Sequence, residues 1–408
     1  MSEVTIILSF YLFAKLVLDF AQIYTIQTVE LDKKSANLLG ISDEDDTRSR
    51  RYNISKLNLS LIRNIIYVSW IYVLLSGGLL NYINSNLESV LHTQYFINLF
   101  IIIITFILIY LSMLPLSYYS TFIIESKYNF NTSSKLLFFK DTLVSVLMTL
   151  ILLTILSSIF FLIVSYQNVW WILMSSTIFL FIVLSIYIYP TYISPLFNKF
   201  KNLENREIKK EIEDLSIKTS FSIENLFVMD KSKRSKHPNA YFTGFKNNRR
   251  IVFYDTLIDL LSPKEIKAVM AHEIGHYKHN HIFKSLLLSS IVIFIGMFLL
   301  SLLVNNPNYI QALNLPLNSA SQLLALVFSY QIISFFIDPL FSVLSRKNEY
   351  QADNFASNHV DKNYLISSLV KLYKSNLAFL RPNKIYAIFY FSHPTVLERI
   401  ENLRSNNG

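Results

Sequence analysis

His272, Glu273 and His276 stand together in the stretch AHEIGHYKHNH. On a helix, residues four apart project from one face. The two imidazoles could therefore hold one metal ion, with Glu273 acting as general base on a water at that ion. That is the chemistry of metal-assisted hydrolysis. The same pattern also fits a surface helix that happens to carry polar residues. A helix is specified in either case, because Ser262, Pro263 and Glu265 supply an N-cap, a first-turn proline and the acid three positions after the cap.

Zinc that keeps one position open for water needs a third protein ligand. Glu349, in SRKNEYQADNFASNH, is the candidate. Asp353 follows one helical turn later and could accept the free N–H of a ligating imidazole. An ordinary charged helix leaving a membrane would carry similar residues. His279 and His281 fit a solvated or headgroup-facing role better than a second metal site, and His237 fits a plain loop position.

The elements that must position these groups lie in a bilayer. The 408 residues are 52% hydrophobic and only 16% charged, with a mean hydropathy of +0.37, too apolar for a soluble chain of this length. Seven apolar runs, at about 5–26, 60–83, 96–119, 142–166, 170–190, 284–304 and 321–344, each approach the ~20 residues a helix needs to cross. An all-α polytopic membrane protein is the expectation. No small-residue cleavage site follows the first run, so it is expected to stay as a span. It carries Lys15 and Asp19, four apart and able to pair, while Asp141 and Asp338 sit in or at the ends of spans, where a charge is costly unless it faces a cavity.

The net charge of +9 is distributed as topology, not as a nucleic-acid footprint. Connections at about 84–95, 167–169 and 305–320 carry no Lys or Arg, whereas the alternate ones are basic. The positive-inside rule then places the N-terminus outside and the C-terminus in the cytoplasm. The chain has no cysteine, which excludes disulfides, thiolate catalysis, Cys-ligated metals and lipidation of the chain itself.

Four segments follow: 1–190 with five spans, 191–283 with the HExxH helix, 284–344 with two spans, and 345–408 with the candidate third ligand. Within the second, residues 199–220 have helical spacing, IENLFVMD and RRIVFYDTL have strand composition, and NNRR suits the turn of an antiparallel pair around 239–254. SDEDD beside RSRR is expected to be a solvated loop.

DKSKRSKHPNAYFTGF, RIVFYDTL, AHEIGHYKHNH, SRKNEYQAD and SHPTVLERI, in this order, with YPTYISPLFNKF closing the fifth of seven spans, resemble the Ste24-type CaaX prenyl proteases, zinc metallopeptidases of family M48. The resemblance implies seven helices forming a barrel around a water-filled chamber, with a small α+β gluzincin-like domain on the cytoplasmic side. It implies one zinc per chain on His272, His276 and Glu349, Glu273 as catalytic base, His393 steadying the oxyanion, Asp353 behind a ligand, and a structural Arg399. Asn239, Ala240 and Tyr241 match an edge strand that aligns an extended substrate by strand addition. The implied substrate is a prenylated CaaX protein or peptide met at the bilayer by a monomeric enzyme of the endoplasmic reticulum or a bacterial inner membrane.

Two other readings are open. The compact chain would suit a bacterial member cutting misfolded or signal-like membrane peptides. A seven-span metal transporter or receptor fits less well, since carriers place ligands near the midplane and these lie at one membrane edge.

Overall fold

The computed structural model describes residues 3–75, 77–166, 168–221, 225–243 and 250–405. Five long apolar helices come first: α1 (Glu3–Thr28), α2 (Asp43–Leu75), α3 (Gln94–Tyr119), α4 (Lys135–Ile163) and α5 (Trp170–Ile188). A small mixed region follows, with β1 (Phe200–Asn202), α6 (Arg206–Thr219), β2 (Asn225–Met229), β3 (Ala240–Thr243), β4 (Arg250–Tyr254) and α7 (Pro263–Lys278). Then come α8 (His281–Val304), α9 (Ser319–His359), α10 (Lys362–Ser375) and α11 (Val396–Ser405). Seven of these helices, α1 to α5, α8 and α9, are long and apolar enough to cross a membrane. Their outward faces are apolar too, as with Leu180 and Leu184 on α5 and Leu287 and Ile291 on α8, the pattern lipid demands and water penalises.

The second span differs from its expected bounds. Gly78 adopts φ +69°, so the apolar run breaks there, and Leu79–Val90 forms a separate amphipathic helix. At the other end α2 starts at Asp43, so SDEDD is helical and not a loop. The Ser42 N–H donates to Asp45 Oδ2 at 3.1 Å and the Asp45 N–H donates to Ser42 Oγ at 3.1 Å. Acids in the first turn also complement the partial positive charge of a helix start.

All seven spans contribute side chains to a cavity of about 850 Å³, including Lys15, Arg63, Ile102, Leu153, Met174 and Leu323. Lys15 and Asp19 do not pair as the spacing suggested. The Lys15 Nζ donates to Tyr11 Oη at 3.2 Å, while Asp19 accepts from Ser60 Oγ and Asn64 Nδ2 at 3.1 and 3.0 Å. Nor does Asp141 serve the cavity. It receives a two-pronged bond from Arg234 Nε and Nη2, at 2.7 and 3.0 Å, which ties α4 to the loop before β3.

The basic connections meet at one end of the bundle. Arg48 Nη2 donates to the Tyr128 carbonyl at 2.8 Å, Ser49 Oγ to the Ala378 carbonyl at 2.9 Å, and Asn131 bridges to Ser235. His237 belongs to this junction and not to a free loop. Its Nδ1 lies 2.6 Å from Asn376 Oδ1 and its Nε2 lies 3.2 Å from Glu125 Oε2, with the ring stacked on Phe130.

At that end the four strands form a sheet in the order β1-β2-β4-β3. The two expected strands are β2 and β4, and they pair in parallel. The β3–β4 pair is antiparallel, Ala240 opposite Phe253 and Tyr241 opposite Val252. The expected NNRR turn lies outside the described residues, apart from Arg250, the first residue of β4. Buried Ile251, Phe253, Ile266, Met270, Ile274, Ile208 and Ile212 join the sheet to α6 and α7 in one core.

Candidate metal centre

The helix that carries the histidines is anchored at its start. The Ser262 N–H donates to Glu265 Oε2 at 2.8 Å in a capping box, and Lys371 Nζ and Ser367 Oγ on α10 also donate to Glu265, at 2.8 and 2.6 Å. Burial alone would raise the Glu265 carboxyl. The Lys371, Ser367 and Ser262 bonds outweigh it and hold the pKa below the ordinary value. Midway along, α7 presses on α9 at Gly275, where a Cβ would stand 2.9 Å from Ala352 Cα. Only glycine lets the two backbones approach this closely. That contact brings the two halves of the site together.

His272 Nε2, His276 Nε2 and a carboxylate oxygen of Glu349 all lie within 4.8 Å of one another. The two nitrogens are 3.1 Å apart. Glu349 Oε1 sits 3.2 Å from His276 Nε2, and Oε2 sits 3.4 Å from His272 Nε2. The Glu349 side chain is 4% exposed, and its Oε2 is buried with no hydrogen-bond partner. The Arg399 guanidinium stands 3.5 Å from that oxygen without bonding it, and a buried carboxylate whose two oxygens face two imidazole nitrogens remains a costly arrangement unless a cation occupies the centre. The donor set and its close convergence fit zinc, whose ligand atoms would stand about 3.4 Å apart at Zn–N distances of ~2.0–2.1 Å.

Asp353 lies one turn past Glu349 on α9 and is fully buried. Its Oδ1 is 2.9 Å from His272 Nδ1, so that nitrogen carries the proton and Nε2 is left free for a metal. Arg399, on α11, clamps the same carboxylate through Nε and Nη2 at 2.8 and 2.6 Å. The 3.3 Å approach of Arg399 Nη2 to His272 Nδ1 brings two donors together and is a contact, not a bond. Burial and the Arg399 charge press the His272 imidazole down, yet the carboxylates of Asp353 and Glu349, 2.9 and 3.4 Å from its two nitrogens, prevail and lift it to about 9. Burial also works against the Arg399 charge, and its pairing with Asp353 overcomes that and raises its pKa.

Glu273 is half-buried beside His272, near enough for its charge to act on Arg399. His393 arrives from a loop pinned by Arg346, whose Nη1 donates to the Ala387 and Phe391 carbonyls at 3.1 and 2.7 Å. The His393 Nε2 lies 3.4 Å from Glu349 Oε1 and the side chain is 63% exposed, so it can meet both the cluster and an incoming ligand. At the sheet, β3 is the outermost strand on this side. The Tyr254 N–H donates inward to the Asn239 carbonyl at 2.9 Å, so the next residue, Ala240, turns its N–H to the open edge, where Asn239 Oδ1 accepts it at 2.8 Å.

Two models of known families divide the chain. One described as "Peptidase family M48" matches residues 202–407, and one described as "CAAX prenyl protease N-terminal, five membrane helices" matches residues 27–199. The chain belongs to peptidase family M48. A Dictyostelium discoideum "CAAX prenyl protease 1 homolog" is 38% identical over 301 residues, 71% of this chain and 69% of that one. A homolog of the same description from Arabidopsis thaliana is 31% identical over 401 residues, 94% of this chain and 92% of its own. The crystal structure of S. mikatae Ste24p matches with a TM-score of 0.89 and 28% identity over 99% of both chains. These relatives are eukaryotic, and a chain that aligns with nearly the whole plant protein is not unusually compact, which removes the argument for a bacterial source.

This M48 chain is thus a multi-pass membrane metalloendopeptidase. One local reading of its sequence needs correction. The HExxH helix ends before the next span: α7 stops at Lys278, Asn280 adopts φ +56°, and α8 begins anew. His281 is therefore not solvated. It is 4% exposed, with Nδ1 3.0 Å from His276 Nδ1 and Nε2 2.9 Å from Gln351 Oε1. Asn280 between two helical runs was the available signal, since asparagine tolerates the left-handed conformation. His279 is half-exposed and stacks on His281. The cavity within the spans has none of these site residues in its lining.

Proposed function

We propose that this metallopeptidase is a zinc enzyme that cleaves near the C-terminus of prenylated CaaX proteins or peptides. The observation that carries the reading is the convergence of His272, His276 and Glu349 from two polar segments, with Glu273 following His272 on a helix that also packs, through Tyr277, on Phe242 of the open-edged strand β3. His272, His276 and Glu349 would hold the ion, which when bound supplies a Lewis acid that lowers the pKa of water toward ~7 and polarises a carbonyl.

The chain's own groups account for the remaining steps. The N–H and C=O of Ala240, between Asn239 and Tyr241, align an extended peptide by adding it as a fifth strand, once the Asn239 side chain releases the Ala240 N–H. Glu273 takes the proton of the attacking water and passes it to the leaving amine. His393, exposed at the rim, donates to the oxyanion. Asp353, held by Arg399, fixes the proton of His272 on Nδ1.

The bilayer setting suits such a substrate. A prenyl chain favours the membrane by ~0.8 kcal/mol per buried CH₂, so a protease in the same membrane meets it where it resides. An N-out, C-cytoplasmic monomer of the endoplasmic reticulum, divided at about residues 190, 283 and 344, completes the reading; the basic connections gathered at one end support the orientation.

Mass spectrometry of matched farnesylated and unmodified CaaX peptides, incubated with detergent-purified zinc-loaded protein, tests it. Cleavage at the CaaX end is expected, with Glu273→Gln at least ~100-fold slower and its zinc content unchanged. Folded, zinc-loaded protein that cuts neither peptide would sink the substrate assignment, and full activity in Glu273→Gln would sink the base.

A further inference from the structure

His281 sits on the far side of His276 from the metal cluster, and its two ring nitrogens leave little freedom in where protons can be. A buried neutral imidazole has one donor and one acceptor. Gln351 Oε1, 2.9 Å from His281 Nε2, can only accept, so Nε2 carries the hydrogen. His281 Nδ1 must then be the acceptor in its 3.0 Å contact with His276 Nδ1. His276 in turn carries its proton on Nδ1 and presents a bare Nε2 to Glu349 and His272.

We propose that Gln351 and His281 form a relay of fixed hydrogen bonds that positions His276 as a metal ligand, the counterpart of what Asp353 does for His272. The proposal rests on His276 being a ligand. His281 is not itself in the cluster, because its contact is with the opposite ring nitrogen of His276. The two ligands are thus oriented by different chemistry. His272 leans on a carboxylate already neutralised by Arg399, whereas His276 leans on a neutral imidazole and amide, which adds no further negative charge to a buried centre holding Glu349 and Asp353. The turn at Asn280 serves this geometry by folding the start of α8 back against the end of α7. Gln351 comes from α9, the helix that also supplies Glu349 and Asp353, so one helix sets both ligating imidazoles.

A reversed amide would reverse every bond in the chain. Gln351 would donate, His281 would donate, and His276 Nε2 would be protonated and unable to ligate. The sense of the relay therefore decides metal binding, and it can be tested by zinc affinity without any assay of catalysis. The measurement is competition between full-length purified protein and a chelator of known affinity, alongside the melting temperature of the metal-free forms.

His281→Leu and Gln351→Leu should each weaken zinc binding by about 10- to 100-fold. His281→Asn, whose Oδ1 can accept from His276 Nδ1, and Gln351→Glu, which can only accept, should stay within roughly threefold of the parent, well short of that loss. A role in packing alone predicts the reverse grouping, with both polar variants no better than the leucines. Leucine variants that bind zinc like the parent would overturn the relay, as would Asn and Glu variants as weak as the leucines. If His281→Leu fails to fold, the Gln351 pair decides the question. Parent protein that binds no zinc, or His276→Ala that binds it normally, would instead remove the ligand assignment beneath the proposal.

Discussion

At the scale of single residues, the site rests on proton placement. His272 and His276 can ligate only if their Nδ1 atoms carry the hydrogens, and each has a buried partner that accepts one, Asp353 in one case and His281 in the other. In the proposed function, substrate alignment rests on a single outward N–H, that of Ala240. Ala240→Pro removes that donor while keeping the edge strand, where proline is tolerated. The expected outcome is a kcat/KM lower by roughly 2- to 10-fold, the worth of about one hydrogen bond, with zinc content unchanged. Peptide kinetics on the zinc-loaded variant check it, and unaltered kcat/KM would remove the edge from the substrate path. The spacing of His272, Glu273 and His276 was legible because it depends on one helix. The role of His281 was not, because its partners are fixed by a reversal of the chain at Asn280 and by a residue 70 positions away.

At the scale of elements, the proposed metal centre lies at a contact between α7 and α9, and Gly275 sets its closeness. Gly275→Ala would force a methyl group to within 2.9 Å of Ala352 Cα. Rigid backbone, not a flexible side chain, stands in the way. The expected cost is about 1–3 kcal/mol of stability, together with weaker zinc binding as Glu349 moves off His272 and His276. Thermal unfolding and chelator competition measure the two effects, and a variant normal in both would show that the helices can separate without loss. Strands β2 and β4 were legible from β-branched and aromatic runs, while β1, only three residues long, was hidden in a charged stretch with helical spacing. SDEDD was misleading because acids are common in loops, and only Ser42 meeting Asp45 reveals a helix start.

At the scale of the whole molecule, the proposed ligands come from segments separated by membrane helices, so metal binding and folding should be linked. Free zinc at about 100 times its dissociation constant should stabilise the folded protein by ~2.7 kcal/mol. Stripping the metal with a chelator should lower the melting temperature and abolish peptidase activity, and added zinc should restore both. Melting that ignores zinc would mean the cluster does not bridge the two segments. The junction that aligns them with the bundle is polar: Arg234 on Asp141, and His237 between Glu125 and Asn376. None of these partners was visible along the chain, since each pair joins positions about 93 to 139 residues apart.

The number of spans, the helix bearing HExxH and the strand character of residues 225–229 and 250–254 follow from the sequence by itself. Each depends on local chemistry: the cost of unpaired backbone in lipid, the period of a helix and the fit of branched side chains to a pleat. The approach of Glu349 to the histidines, the clamp of Arg399 on Asp353, the outer position of β3 and the seat of His281 against His276 were decided only by tertiary structure. Those depend on which surfaces meet, and a small residue such as Gly275 or a turn such as Asn280 determines that through sterics that composition does not record.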